Sequence, residues 1–197
     1  NQACECDMNE LERTIAARIT KCLFKGKAVV IYGARQVGKT TLLKRLAERH
    51  RGKMLFLNCD EPDIRADMTD ATSTKLKAIV GGSTLVLIDE AQRVRNIGLT
   101  LKLMVDNLPA TQVVATGSSS FELSQEVVEP LTGRCYDFHL HPFSLEELAQ
   151  MHDARDRARL LERFMVFGMY PEVVLKPDEA IRLLSSLAGS YLYQDVL

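Results

Sequence analysis

The sequence predicts an α/β fold, a parallel sheet layered between helices, followed by an all-helical segment. Three observations predict it. A glycine-rich octapeptide, Gly33-Ala34-Arg35-Gln36-Val37-Gly38-Lys39-Thr40, joins an apolar strand to an amphipathic helix. A second apolar run, Leu85 to Ile88, delivers two adjacent carboxylates, Asp89 and Glu90. Strand-length apolar runs alternate with helical periodicity up to His141, after which only the helical period remains.

The octapeptide reads G-x-x-x-x-G-K-T, the phosphate-loop pattern. Two Gly, a Lys and a Ser or Thr at this spacing arise by chance in roughly one such chain in a hundred. The flanks tighten the signal. Ala28–Tyr32 is an unbroken apolar run, as a buried parallel strand requires. Leu42, Leu43, Leu46 and Ala47 then share one helical face. A polyphosphate concentrates negative charge on a short rod and needs many donors at close range. Glycines let successive backbone N–H groups converge, and the following helix adds its unpaired N–H groups and dipole. Gly33, Ala34, Arg35, Gln36, Val37, Gly38, Lys39, Thr40 and Thr41 are therefore the candidate nucleotide-binding residues. Lys39 supplies a mobile charge to the outer phosphates, and the Thr40 hydroxyl is placed for Mg²⁺.

The strand ending in Asp89-Glu90 has the Walker B pattern. Asp89 is the candidate second Mg²⁺ residue, and Glu90 the group that orients or deprotonates water. A capping role for the pair is the alternative. Gln112–Thr116 reads as a fourth strand, ending in Thr116-Gly117-Ser118-Ser119-Ser120. Thr116 or Ser118 is the candidate hydroxyl for the γ-phosphate. Ser119 or Ser120 equally serves to cap a helix carrying Phe121, Leu123 and Val127. Arg134 precedes a fifth strand, Tyr136–His141. It is a candidate to neutralise transition-state charge; a surface ion pair is the competing reading.

The chain has 197 residues, 46% of them apolar, with 25 Lys and Arg against 26 Asp and Glu. Its net charge of −1 gives no global field toward nucleic acid or anionic membrane, though a local patch stays open. No apolar run has membrane-spanning length and no signal-peptide pattern appears, so a cytoplasmic location is expected. Cys4, Cys6, Cys22, Cys59 and Cys135 are odd in number and irregular in spacing, which fits free thiols. His139 and His141 alternate on the fifth strand without further ligands, which favours a structural role. Basic residues cluster at Lys44, Arg45, Arg49, Arg51 and Lys53 without interleaved aromatics. A solvated helix face is the simpler reading, nucleic-acid contact the other. Arg155, Arg157, Arg159 and Arg163 read the same way.

Elsewhere the periodicity predicts a helix from Met8 to Leu23 and a second strand over Lys53–Asn58. Asp60-Glu61-Pro62 forms a polar rim loop, and a weaker helix covers 70–80, stopped by Gly81-Gly82. Leu101, Met104, Val105 and Leu108 mark another helix. Ser144 and Glu147 form a capping box, with Phe143 and Leu148 as its staple. Leu160, Leu161, Phe164 and Phe167 define one helix face, Met169-Tyr170-Pro171 a break, and Ile181 to Leu192 the last helix. The division expected is a P-loop core over 1–143 and a helical lid over 144–197. Leu197 ends the lid without a capping Gly or Pro, as if it were truncated.

Together these residues resemble a family of prokaryotic AAA+-type P-loop ATPases, near the signal-transducing and archaeal ATPase groups. Gly33–Leu43, Leu87-Ile88-Asp89-Glu90-Ala91-Gln92, Thr116–Ser120, Leu131-Thr132-Gly133-Arg134 and Gly168–Val173 carry the resemblance. It implies a five-stranded parallel sheet in order 5-1-4-3-2, ATP with Mg²⁺, a sensor position covered by Thr116–Ser118, and Arg134 as arginine finger or sensor, in cis or across subunits. It also implies a C-terminal domain of unknown function, absent here, and leaves oligomerisation and a protein partner open. The expected activity is Mg-ATP hydrolysis coupled to a conformational change. The alternatives are a nucleotide-state switch that binds ATP or ADP and acts on a partner or DNA, and a P-loop kinase. A GTPase lacks support: Thr74-Lys75-Leu76-Lys77 has no acid where guanine reading needs one.

Overall fold

The computed structural model describes residues 11–118 and 129–195. The calls on Cys4 and Cys6, on Ser119 and Ser120, and on the helix of Phe121, Leu123 and Val127 lie outside them. The elements in order are α1 (Thr14–Cys22), β1 (Ala28–Tyr32), α2 (Lys39–Arg49), β2 (Met54–Asn58), α3 (Pro62–Met68), α4 (Ser73–Val80), β3 (Leu85–Asp89), α5 (Ile97–Asn107), β4 (Gln112–Gly117) and β5 (Cys135–His139). Then follow α6 (Leu145–Leu148), α7 (Ala154–Phe167), α8 (Pro171–Leu175) and α9 (Ala180–Asp195).

The five strands pair in parallel in the order β2-β3-β4-β1-β5. This is the order expected, read from the other edge. β1, β3 and β4 are buried along their whole length, because they sit inside the sheet with helices on both faces. Ala28, Val30, Tyr32, Val86, Ile88, Val113 and Ala115 share a core with Leu76 and Val80 of α4 and Ile97, Leu101 and Met104 of α5. The alternate residues Val29, Ile31, Leu87 and Val114 are equally buried, and α2 packs on β3 and β4 with Leu42, Leu43 and Leu46 inside. Parallel registry aligns the strand ends, so the loops after β1, β3 and β4 meet at one rim.

The chain divides into two compact units, Ile15–Leu140 and a second formed by the segment up to Thr14 with His141 onward. The second unit has its own apolar cluster of Leu11, Phe143, Leu148 and Phe164. The capping box of Ser144 and Glu147 is present at α6. Around it Glu147 Oε1 accepts from Arg13 Nε at 3.1 Å and from the Thr14 N–H at 2.8 Å.

Several expectations need correction. Residues 11–13 are not helical, so the first helix starts at Thr14. Pro62 opens the helix α3 rather than lying in a loop, since proline at N1 lacks only an N–H that the helix leaves unpaired. Helix α4 starts at Ser73, where the Thr72 side chain caps it. The expected break at Pro171 is followed at once by α8. β5 ends at His139, so His141 does not share the strand.

Candidate nucleotide-binding site

β1 carries the chain into Gly33, whose N–H donates to the Gly117 carbonyl at 3.3 Å. A Cβ on Gly33 would stand 2.5 Å from the Leu140 carbonyl oxygen, so the close approach demands glycine. Gln36 and Gly38 then take left-handed backbone angles, φ 61° and 96°, and Gly38 is the N-cap of α2. Such a turn gathers consecutive N–H groups at the start of a helix.

Lys39 is 6% exposed. Its Nζ folds back over the loop, donating to the Gly33 and Ala34 carbonyls at 3.0 and 2.9 Å. Burial lowers the pKa of this ammonium; Glu90 and Asp89 oppose the shift, and Arg35 adds to it. Directly beside Lys39, Thr40 Oγ1 donates to Asp89 Oδ2 at 2.6 Å. The octapeptide and the end of β3 therefore meet, although far apart in sequence.

Asp89 is buried and well supplied with donors. Its Oδ1 accepts from Thr116 Oγ1 at 2.5 Å and from the Glu90 N–H at 3.2 Å. Thr116, one of the two candidate hydroxyls, thus meets Asp89. Ser118 follows β4 on the same rim and is half-buried. Glu90 has left-handed angles, φ 53° and ψ 42°, and caps a single 3₁₀ turn, Ala91–Arg93. That turn brings Gln92 Nε2 to Glu90 Oε2 at 2.5 Å. The alternative reading of the acid pair as a helix cap fails in one respect: Glu90 makes no side-chain capping bond.

Gln92 is the residue sequence reasoning left without a role. Its only signal was an amide two positions after the acid, which matters only once a tight turn is known. Asp60, on the neighbouring strand end, pairs with Arg93 at 3.3 Å.

Arg134 lies elsewhere. Its carbonyl accepts from the Ala28 N–H at the start of β1, the edge of the sheet opposite the phosphate loop. Its Nε pairs with Asp106 Oδ1 at 2.9 Å, the ion pair weighed as its alternative. Five strand residues, about 16 Å, separate that edge from the loop of the same chain.

Among the described residues, no group of three or more His, Cys, Asp or Glu side chains is placed to hold a metal ion. The hard oxygens of Thr40 and Asp89 suit a cation that takes its other ligands from phosphate and water.

Residues 25–149 match the AAA domain family. The chain belongs to the AAA domain family. The matched AAA domain stretch takes in all five strands and the whole phosphate-loop rim. An uncharacterized protein of Methanocaldococcus jannaschii is 27% identical over 191 residues, 89% of this chain and 43% of that protein. An uncharacterized protein of Mycobacterium tuberculosis is 35% identical over 126 residues, 62% of this chain and 26% of that protein. The chain thus spans less than half the length of these relatives. A solved DNA replication initiation factor resembles it with a TM-score of 0.50 and 14% identity, over 92% of this chain and 59% of that one, a likeness of fold.

Proposed function

We propose that this AAA domain binds Mg-ATP and hydrolyses its terminal phosphate, coupling turnover to a conformational change. The observation that carries the reading is the 2.6 Å contact between Thr40 and Asp89, with Lys39 and Glu90 as their chain neighbours. The loop amides and Lys39 bind the β- and γ-phosphates. Thr40 and Asp89 hold Mg²⁺, which when bound offsets phosphate charge. Glu90 orients the attacking water and takes its proton, and Gln92 fixes the Glu90 carboxylate. Thr116 keeps Asp89 in place; Ser118 is the hydroxyl within reach of the γ-phosphate. Stabilising the charge that develops on the transferred group supplies most of the acceleration. Arg134, at the far edge of the sheet, acts on the nucleotide of a neighbouring copy. The helical unit serves as lid, and a partner or further domain receives the output.

Phosphate release tests this reading. Glu90→Gln is expected to retain ATP binding and lose turnover by about a hundred-fold or more. Equal release by the wild type and Glu90→Gln removes Glu90 from the mechanism. A phosphorylated acceptor in place of free phosphate makes the protein a kinase.

A further inference from the structure

The edge of the sheet opposite the phosphate loop has a chemistry of its own. Short connections enter the strands there: Leu23–Lys27 into β1, His50–Lys53 into β2, Gly81–Thr84 into β3 and Leu108–Thr111 into β4. They carry Lys25, Lys27, Arg51 and Lys53 and no Asp or Glu. Arg134, entering β5, is matched by Asp106. The opposite rim is mixed, with Asp60, Glu61, Asp89 and Glu90 beside Arg35, Lys39 and Arg93. In a chain of net charge −1, this edge therefore holds a local excess of cations. The C-terminal ends of α2 and α4 lie at the basic edge and account for part of this, since cations complement helix carbonyls.

The helix dipole does not account for Phe24. This residue is 55% exposed. Its φ is 59°, a left-handed angle that is costly for a bulky side chain. The backbone is pinned there. Its N–H donates to Gln112 Oε1 at 2.5 Å, while Gln112 Nε2 donates to the Lys27 carbonyl at 2.9 Å. The Phe24 ring stacks on His50, with centroids 5.8 Å apart and planes at 18°. His50 in turn bonds Thr84 Oγ1 at 2.8 Å, and Thr84 Oγ1 donates to the Lys53 carbonyl at 3.1 Å. Folding thus supplies what the basic stretch lacks in sequence, an aromatic plane set among the cations.

We propose that this rim binds single-stranded nucleic acid. A base stacks at the Phe24–His50 pair, and the sugar-phosphate backbone runs across Arg51, Lys53, Lys25 and Lys27. Aromatic stacking within a cationic track is the general chemistry of sequence-tolerant single-strand binding. From β2 to β1 the edge spans three strand spacings, about 14 Å, room for a few nucleotides. An acidic peptide would use the cations but leave the ring unused. An anionic membrane needs a wider apolar surface than one ring. The site lies at the far end of the strands from Lys39 and Asp89, so it does not depend on the proposed ATPase activity.

Fluorescence anisotropy with a labelled oligo-dT of about 20 nucleotides tests the proposal. The wild type is expected to bind saturably, with a log–log salt slope of about −3 for four phosphate contacts. Phe24→Ala weakens binding about ten-fold and keeps that slope. Arg51→Gln with Lys53→Gln weakens binding and flattens the slope. Phe24→Leu, which keeps the apolar bulk without the ring, behaves like Phe24→Ala and controls for misfolding, as does the melting temperature of each variant. Phosphate release, measured on the same samples, stays at the wild-type rate. No saturable binding, variants that bind as the wild type does, or polyglutamate or anionic vesicles bound as tightly would each overturn the proposal. Absence of phosphate release in the wild type bears on the ATPase reading alone.

Discussion

At the residue scale, the polar groups of the candidate site have partners at Lys39, Thr40, Asp89 and Thr116, while the buried Gln92 Oε1 has none among the described residues. Asp89 is buried, and three donors meet one or other of its oxygens, as a buried polar group requires. Lys39 has exchanged water for two loop carbonyls. Burial lowers its pKa from 10.5, so the uncharged form gains ground as pH rises, sooner than for a free lysine. Mg-ATP affinity is therefore expected to fall on the alkaline side before pH 10.5, and titrations at several pH values will show it. A profile flat to that point would contradict the lysine's part in binding. Gln92 donates to Glu90; if it acts through that carboxylate as proposed, Gln92→Ala should lower kcat several-fold with little change in KM. A change in KM alone would assign it a binding role instead. Cys59 is buried at the same rim, and its thiol is pushed up to about 12 by burial and by Asp89 and Asp60. About one in ten thousand such thiols is ionised at pH 8. Iodoacetamide should leave Cys59 intact until the protein unfolds; rapid alkylation of the native protein would show that this rim opens.

At the element scale, the strands and their rim were legible in sequence because parallel strands buried on both faces have no alternative pattern. β1 and β3 are wholly apolar up to the residue where the chemistry begins. The capping box at Ser144 was equally legible, since both of its side-chain bonds are local. What could not be read were the short helices at prolines, α3 and α8, whose lengths depend on packing rather than on period. Contacts across long sequence separations were also hidden, including Gln112 holding Phe24 and Arg13 holding Glu147. Gly33 shows the tightness of the loop. Gly33→Ala should abolish Mg-ATP binding or destabilise the unit, because the new Cβ meets the Leu140 carbonyl, which is backbone and cannot yield. Unchanged binding and melting would contradict that geometry. In the second unit, burial tends to raise the Glu147 pKa, but the N–H groups of Ser144 and Thr14 and the Arg13 guanidinium outweigh it and hold the group below 4.5. A carboxylate depressed in the folded state stabilises above its unfolded pKa and loses that contribution as pH falls through the folded value. Arg13→Ala should cost about 3 kcal/mol near neutral pH, with the deficit shrinking below about pH 4.5. Denaturant melts at two pH values will check this; a deficit independent of pH would mean that the pair's charge is immaterial.

At the scale of the whole molecule, composition concealed the most informative feature. Nearly equal numbers of acids and bases give a net charge of −1, yet the fold brings Lys25, Lys27, Arg51 and Lys53 together at one edge of the sheet. Where the phosphate loop opens the charges are mixed; where the strands begin, cations prevail. No helix among the described residues is long and apolar enough to cross a membrane. The helical unit has its own core, and the relatives are more than twice as long as this chain. What the proposed ATPase drives is a question for the longer proteins, while the proposed nucleotide chemistry rests on Gly33–Thr41 and Asp89–Gln92. Calorimetric titration with ATP in the presence and absence of Mg²⁺ tests that chemistry most directly. Saturable binding is predicted, weakened at least about ten-fold by withholding Mg²⁺ or by Lys39→Ala. No binding heat at any temperature tried, or equal affinity with and without the cation and the lysine, would contradict the account.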